Sequence, residues 1–281
     1  MPTFDTAAPI SVTMVLGVGG ARITASERTD TVVEVTPSDR SKTADVRAAE
    51  QTRVEYSHGR LLVMAPKRRQ SSLFGGGGSI EVAIELPAGS ELNAEAVKAD
   101  LRAEGRLGAC RFTTAVGHVW LDQTGPLHLT TSSGGITVDC AVGDAAITGS
   151  GEVRIRQIDG AAVIKNLNGD TWVGEVTGHL RCNAANGAIS VDRAHATTVA
   201  KTANGNIRIG EVARGSAALT TASGELEVGI RAGTAALLDV RSQFGRVHNS
   251  LDASDGPEPS DETVEVRART AYGDIVIRRS S

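Results

Sequence analysis

Four versions of one phrase lie between Ala161 and Val228: Asn-Gly-Asp-Thr-Trp-Val at 168–173, Asn-Gly-Ala-Ile-Ser-Val at 186–191, Asn-Gly-Asn-Ile-Arg-Ile at 204–209 and Ser-Gly-Glu-Leu-Glu-Val at 223–228. Each is a polar residue, a glycine, and then apolar side chains two and four places on. Alternation with period two describes a strand with one buried face. Its return about every 18 residues describes stacked repeats.

Working outward, Gly117, Gly134, Gly151, Gly169, Gly187, Gly205, Gly224, Gly245 and Gly273 each open such a unit, at intervals of 17, 17, 18, 18, 18, 19, 21 and 28. Residues two and four after the glycine form an inward column: Val119 and Leu121, Ile136 and Val138, Val153 and Ile155, Ile189 and Val191, Ile207 and Ile209, Leu226 and Val228, Ile275 and Ile277. Residues five and seven before it form a second one: Leu129 and Leu127, Ile164 and Ala162, Cys182 and Leu180, Ala200 and Thr198, Leu219 and Ala217, Val240 and Leu238, Ala268 and Val266. A third apolar contact follows at Ile158, Val176, Ala194 and Val212.

Two or three short strands per turn predict an all-β fold, a single-stranded parallel β-solenoid of about 18 residues per coil. Its corner glycines, Gly134, Gly151, Gly169, Gly187, Gly205, Gly224, Gly245 and Gly273 among them, suit positive φ or crowded stacked backbones. Asn-Gly is also a hairpin signal, so an antiparallel meander is the rival. Parallel stacking is preferred because like positions match between repeats. Right-handed coiling is the default of the crossover rule.

Composition agrees. Aromatic residues are 3% of the 281, glycines number 32, and the net charge is -4 with both signs mixed. Neither nucleic acid nor an anionic membrane surface is implied as a partner. Cys110, Cys140 and Cys182 match no metal or redox spacing. Met1 to Thr6 lacks a basic region, and Ile10, Val12, Met14, Leu16 and Val18 alternate as a strand. The expectation is therefore no signal peptide, no transmembrane segment and a cytoplasmic location.

Residues 1–100 read as a less regular β region that caps the stack, with Ala44–Gln51 the one helical stretch and Ser57-His58-Gly59-Arg60 a hairpin turn. Lys67–Phe74 followed by Gly75–Gly78 lacks the Lys-Ser or Lys-Thr of a phosphate loop and reads as a hairpin tip. Residues 101–281 read as the repeats. Acidic, proline-containing 250–263 is an ejected loop, and Val264–Ile277 returns as two strands that close the far end.

Three stretches carry a resemblance: Asp45–Tyr56 (DVRAAEQTRVEY), Gly169–Val176 (GDTWVGEV) and Phe244–Asn249 (FGRVHN). With them nearly the whole chain resembles the bacterial putative adhesin family, a domain of unknown function built of β-strand repeats, in its actinobacterial type without a signal peptide. The resemblance implies a solenoid-like architecture and no catalytic residues. The name implies a surface location.

Coils stack about 4.8 Å apart. Asp139 and Asp192, three coils apart at roughly 14 Å, exceed the about 5 to 9.5 Å of paired glycosidase carboxylates. Glu175 and Glu211 lie at the edge of that range, and Glu152 and Asp170 are the closest pair. The bland reading, turn decoration, is preferred for all of them. His58, His118, His128, His179, His195 and His248 form no metal pair, and Asn168-Gly169-Asp170 lacks the regular calcium repeat. No cofactor or metal is implied. Trp120 and Trp172, each three residues after a corner glycine on the outward face, are the candidate partner-binding residues, since an exposed indole anchors a sugar or a protein.

The sequence thus points to a non-enzymatic β-strand-repeat scaffold or interaction module. A carbohydrate-binding or carbohydrate-active solenoid is the second class, and a self-polymerising scaffold similar to the bactofilins the third. Partners are a protein or a second copy.

Overall fold

The computed structural model describes residues 1–66, 78–251 and 262–280. The hairpin tip expected at Lys67–Phe74 and Gly75–Gly78, and the loop expected at 250–263, fall largely outside the described residues. The chain forms two compact units, Met1–Asp139 and Cys140–Ser281. Both contain strands stacked in parallel as the coils of a β-solenoid, to which the first adds antiparallel pairs.

In the first unit the 16-residue strands Ser11–Ser26 and Glu91–Arg106 lie parallel along almost their whole length. Stacking continues through Cys110–Val116 to Leu127–Ser133, where Leu92, Cys110 and Leu127 share one column. Residue 100 lies within the second long strand. On the other side of Ser11–Ser26 run Arg60–Met64 and Ser79–Pro87, both parallel to it. Antiparallel pairs complete this side: Arg53–Ser57 turns back on Arg60–Met64 through His58 and Gly59, both with positive φ. The strand Asp30–Pro37 pairs antiparallel with Ser79–Pro87 and with Thr3–Asp5. The expected helix forms at Thr43–Glu50; its buried Asp45 accepts the Ser79 N–H at 2.8 Å.

In the second unit like positions sit on one another as the 18-residue step requires. Ile189 pairs with Ile207, and Ile207 with Leu226, all in parallel strands. The predicted inward columns are buried: Ile155, Ile164, Cys182, Ile207 and Val228 have no exposed surface. At roughly 1.5 to 3 kcal/mol for each fully buried aliphatic side chain, these columns replace an aromatic core.

Seven of the eight named corner glycines have positive φ, from 103° at Gly169 to 152° at Gly224. Gly245 does not, but it meets the second condition: a methyl group on it would lie 2.0 Å from the Gly273 carbonyl oxygen. Just inside several corners a polar side chain three residues before the glycine holds backbone carbonyls. Thr202 Oγ1 donates to the Gly187 and Asn204 oxygens, and Thr221 Oγ1 to those of Gly205 and Ser223. Outside, Asn204 donates to Asn186 and Asn186 to Asn168.

Two expectations about the far end are corrected. The strands Glu262–Tyr272 and Ile275–Arg279 do not close the stack; they insert between the coil Gly215–Ile230 and the coil Thr234–Asn249, pairing parallel with both. Leu238 and Val240 are accordingly only half-buried, whereas their neighbours Val266 and Ala268 have no exposed surface. Among the described residues this coil has a neighbour on one side only, which leaves its inward side chains partly in solvent.

Candidate binding site

The outward columns carry the polar side chains, and most acids weighed as catalytic are engaged within the stack. Glu175, Arg193 and Glu211 share one column in consecutive coils. Arg193 donates to Glu175 at 2.9 Å, and the His195 Nε2 stands 2.8 Å from the other Glu175 oxygen. Glu211 takes Arg231 at 2.7 Å and the Ser280 hydroxyl at 2.9 Å. Both carboxyl groups are held below the usual range, Glu175 chiefly by the hydrogen bond with His195 and Glu211 chiefly by that from Arg231. Such a group is a poor proton donor near neutral pH.

Glu152 sits 3.7 Å from Arg154. Asp170 accepts the Ala188 N–H at 2.8 Å, one corner on, an arrangement repeated by Asn206 with Glu225 and by Asp274 with Arg246. The residue after a corner glycine thus clasps the next corner, a role the sequence reading missed although the Asp and Asn at that position were its signal. Among the described residues no group of three His, Cys, Asp or Glu side chains is placed to hold a metal ion.

The two tryptophans differ. Trp172 is half-buried: its indole N–H reaches Asp192 at 3.3 Å, the Arg154 guanidinium lies 5.1 Å from its ring centre, and the ring closes over Gly174. Trp120 is 53% exposed. The Arg102 guanidinium stacks on its ring at 4.1 Å and is held there by a 2.8 Å hydrogen bond to Glu104. The indole borders a groove of about 330 Å³ lined by Arg102, Glu104, Asp122 and Asp139. Asp122 is fixed by the Gly105 N–H at 3.1 Å. An apolar plate ringed by one cation and three carboxylates can take a flat apolar group that carries hydrogen-bond donors.

Arg102 is the partner that sequence reasoning missed. Its signal was present: each tryptophan follows an arginine by one 18-residue step, Arg102 before Trp120 and Arg154 before Trp172. A larger cleft, of about 510 Å³, is lined by Lys98, Asp100 and His118. There Asp100 accepts the His118 N–H and His118 Nδ1 accepts the Gly135 N–H, so both side chains clasp corners.

The family model Toastrack DUF4097 matches residues 14–281. No curated protein matches the sequence significantly. Among solved structures the chain is similar to a putative adhesin from Parabacteroides merdae ATCC 43184, 12% identical over 98% of this chain and 94% of that one, with a TM-score of 0.45. It is also similar to a putative lipid binding protein from Parabacteroides distasonis ATCC 8503, 12% identical over 97% and 95%, at 0.43. A putative cell adhesion protein from Clostridium sporogenes ATCC 15579 is 11% identical over 99% and 98%, at 0.23.

Proposed function

The chain belongs to the Toastrack DUF4097 family, and on that premise we propose that it is a non-enzymatic interaction module holding a partner protein at the Trp120 groove of its first unit. The observation that carries this is the half-open indole backed by Arg102 and flanked by Glu104 and Asp122. Aromatic anchors beside arginine are the composition of binding hot spots. Engagement of Glu175 and Glu211 by arginine and histidine supports the non-enzymatic part. The cytoplasm is the compartment we propose; three cysteines kept as thiols outside any disulfide, two of them buried, support it.

The test is photocrosslinking in cells from a benzophenone amino acid at position 120, with position 163, a 41% exposed valine of the second unit, as control. The expected result is a protein adduct specific to position 120. Titration of that purified partner then loses about 2 kcal/mol or more with Trp120→Ala and nothing with Trp172→Phe. No adduct, or the same adducts from both positions, would end this reading.

A carbohydrate is the second reading, favoured by the carboxylates around an open indole, since sugar rings stack on aromatic plates while their hydroxyls donate to acids. Soluble oligosaccharide that quenches Trp120 fluorescence in a Trp172→Phe background would select it.

A further inference from the structure

Among the described residues the coil Thr234–Asn249 ends the second unit with one strand edge open. The 11-residue strand Thr234–Phe244 pairs along one edge with Glu262–Tyr272, and among the described residues its other edge has no strand beside it. Soluble proteins guard such edges with charge, proline, bulges or a covering segment. This one carries exposed apolar side chains beside one charge of each sign. Leu237 is 68% exposed, Phe244 66% and Val247 44%. Ala236, Leu238 and Val240, which occupy the core column of the coil, are half-buried. Phe244 stacks on Tyr272 at 5.0 Å and leaves its own far side open.

The charges on this strand select the occupant. Asp239 and Arg241 flank Val240 on the outward face. Two copies of the strand laid antiparallel about a two-fold axis through Val240 set residues at equal distances from it opposite one another, so Asp239 of each faces Arg241 of the other. Opposite charges directly across a strand pair are favourable. Asp239 already takes Arg269 at 2.8 Å, while Arg241 makes no hydrogen bond or ion pair among the described residues, so the pairing supplies a counter-charge to a free cation. The same register sets Leu238 opposite Ser242 and Phe244 opposite Ala236, which continues the core column into the second molecule.

From this we infer that the edge strand Thr234–Phe244 is a homodimer interface, pairing antiparallel with the same strand of a second copy. The contact uses one patch on both molecules, so it closes at two and does not grow into a fibre. It is independent of the Trp120 groove.

Sedimentation velocity of the full chain over a concentration series tests it. The expected result is a monomer–dimer equilibrium with no larger species. Arg241→Asp, which sets acids opposite acids at both ends of the register, weakens the dimer about tenfold or more. The swap Asp239→Arg with Arg241→Asp restores it, because the self-complementary pattern returns. Both side chains are exposed, and circular dichroism of each variant confirms that it folds. Val240→Cys adds a register check: mild oxidation gives a covalent dimer across the axis. A monomer at all concentrations overturns the inference. So do species beyond the dimer, or a swap variant no better than Arg241→Asp.

Discussion

The corner at Gly245 stacks on the corner at Gly273, which follows it by 28 positions, and not on Gly224, which precedes it by 21. The Gly273 N–H reaches the Phe244 carbonyl, and the Gly224 N–H reaches that of Tyr272 at 2.8 Å. Gly273 is thus pressed between two corners, with φ at 145° and its missing methyl directed at the Gly224 oxygen 2.1 Å away. Gly273→Ala combines left-handed strain with a clash against backbone and is expected to cost at least about 3 kcal/mol. Gly233, also at positive φ but with open space around it, is the control; Gly233→Ala should cost about 1 kcal/mol. Urea denaturation of the two variants measures the difference.

Asn166 serves two corners. Its Nδ2 donates at 2.9 Å to both the Gly151 and the Gly169 carbonyl oxygens. Position 184, the counterpart of Asn166 one coil on, is alanine and has no donor to offer Gly169. Asn166→Ala is therefore expected to destabilise by about 2 to 3 kcal/mol, since a buried amide is lost and two carbonyls stay unpaired. Thr202→Val keeps its shape and loses one hydroxyl, for about 1 kcal/mol. Denaturant midpoints that show no gap between these variants would contradict the two-corner role.

Pairs such as Ile189 with Ile207 were legible because burial imposes the same side chain on the same place in every coil. Spatial order was not. Any coil with the right columns fits any position in the stack, so nothing in the pattern of Gly273–Ile277 says that it lies inside Gly245–Asn249. The trace that existed was Asn249, four places after Gly245 where its equivalents are Val228 and Ile277; a polar residue in a core column marks a coil with an open side. The Trp120 groove was half legible. Both tryptophans occupy the same column, and what separates them, the reach of Asp192 to one and the stacking of Arg102 on the other, is a property of neighbouring coils.

Cys110 and Cys182 fill core columns, and burial pushes both thiols up to about 12. The reactive species is the thiolate, so neither should be alkylated in the folded protein near neutral pH. Cys140, which is not fully buried, should react first. Iodoacetamide labelling followed by peptide mass mapping is expected to show Cys140 alone modified, with the other two labelled only after unfolding.

Glu175 and Glu211 link stability to pH, with a sign their environments fix. Both have folded values below the ordinary one, so the folded state favours the charged forms. That stabilisation is fully present above the unfolded carboxylate value of about 4.3 and is lost as pH falls from there through the lowered folded values. Thermal midpoints should hold steady down to about pH 5 and then drop. Glu175→Gln combined with Glu211→Gln should be less stable than the parent at pH 7 and close to it at the acid end, because protonation removes from the parent what the substitutions remove from the variant. A constant gap between the two curves across the acid range would show that packing, and not charge, links these columns.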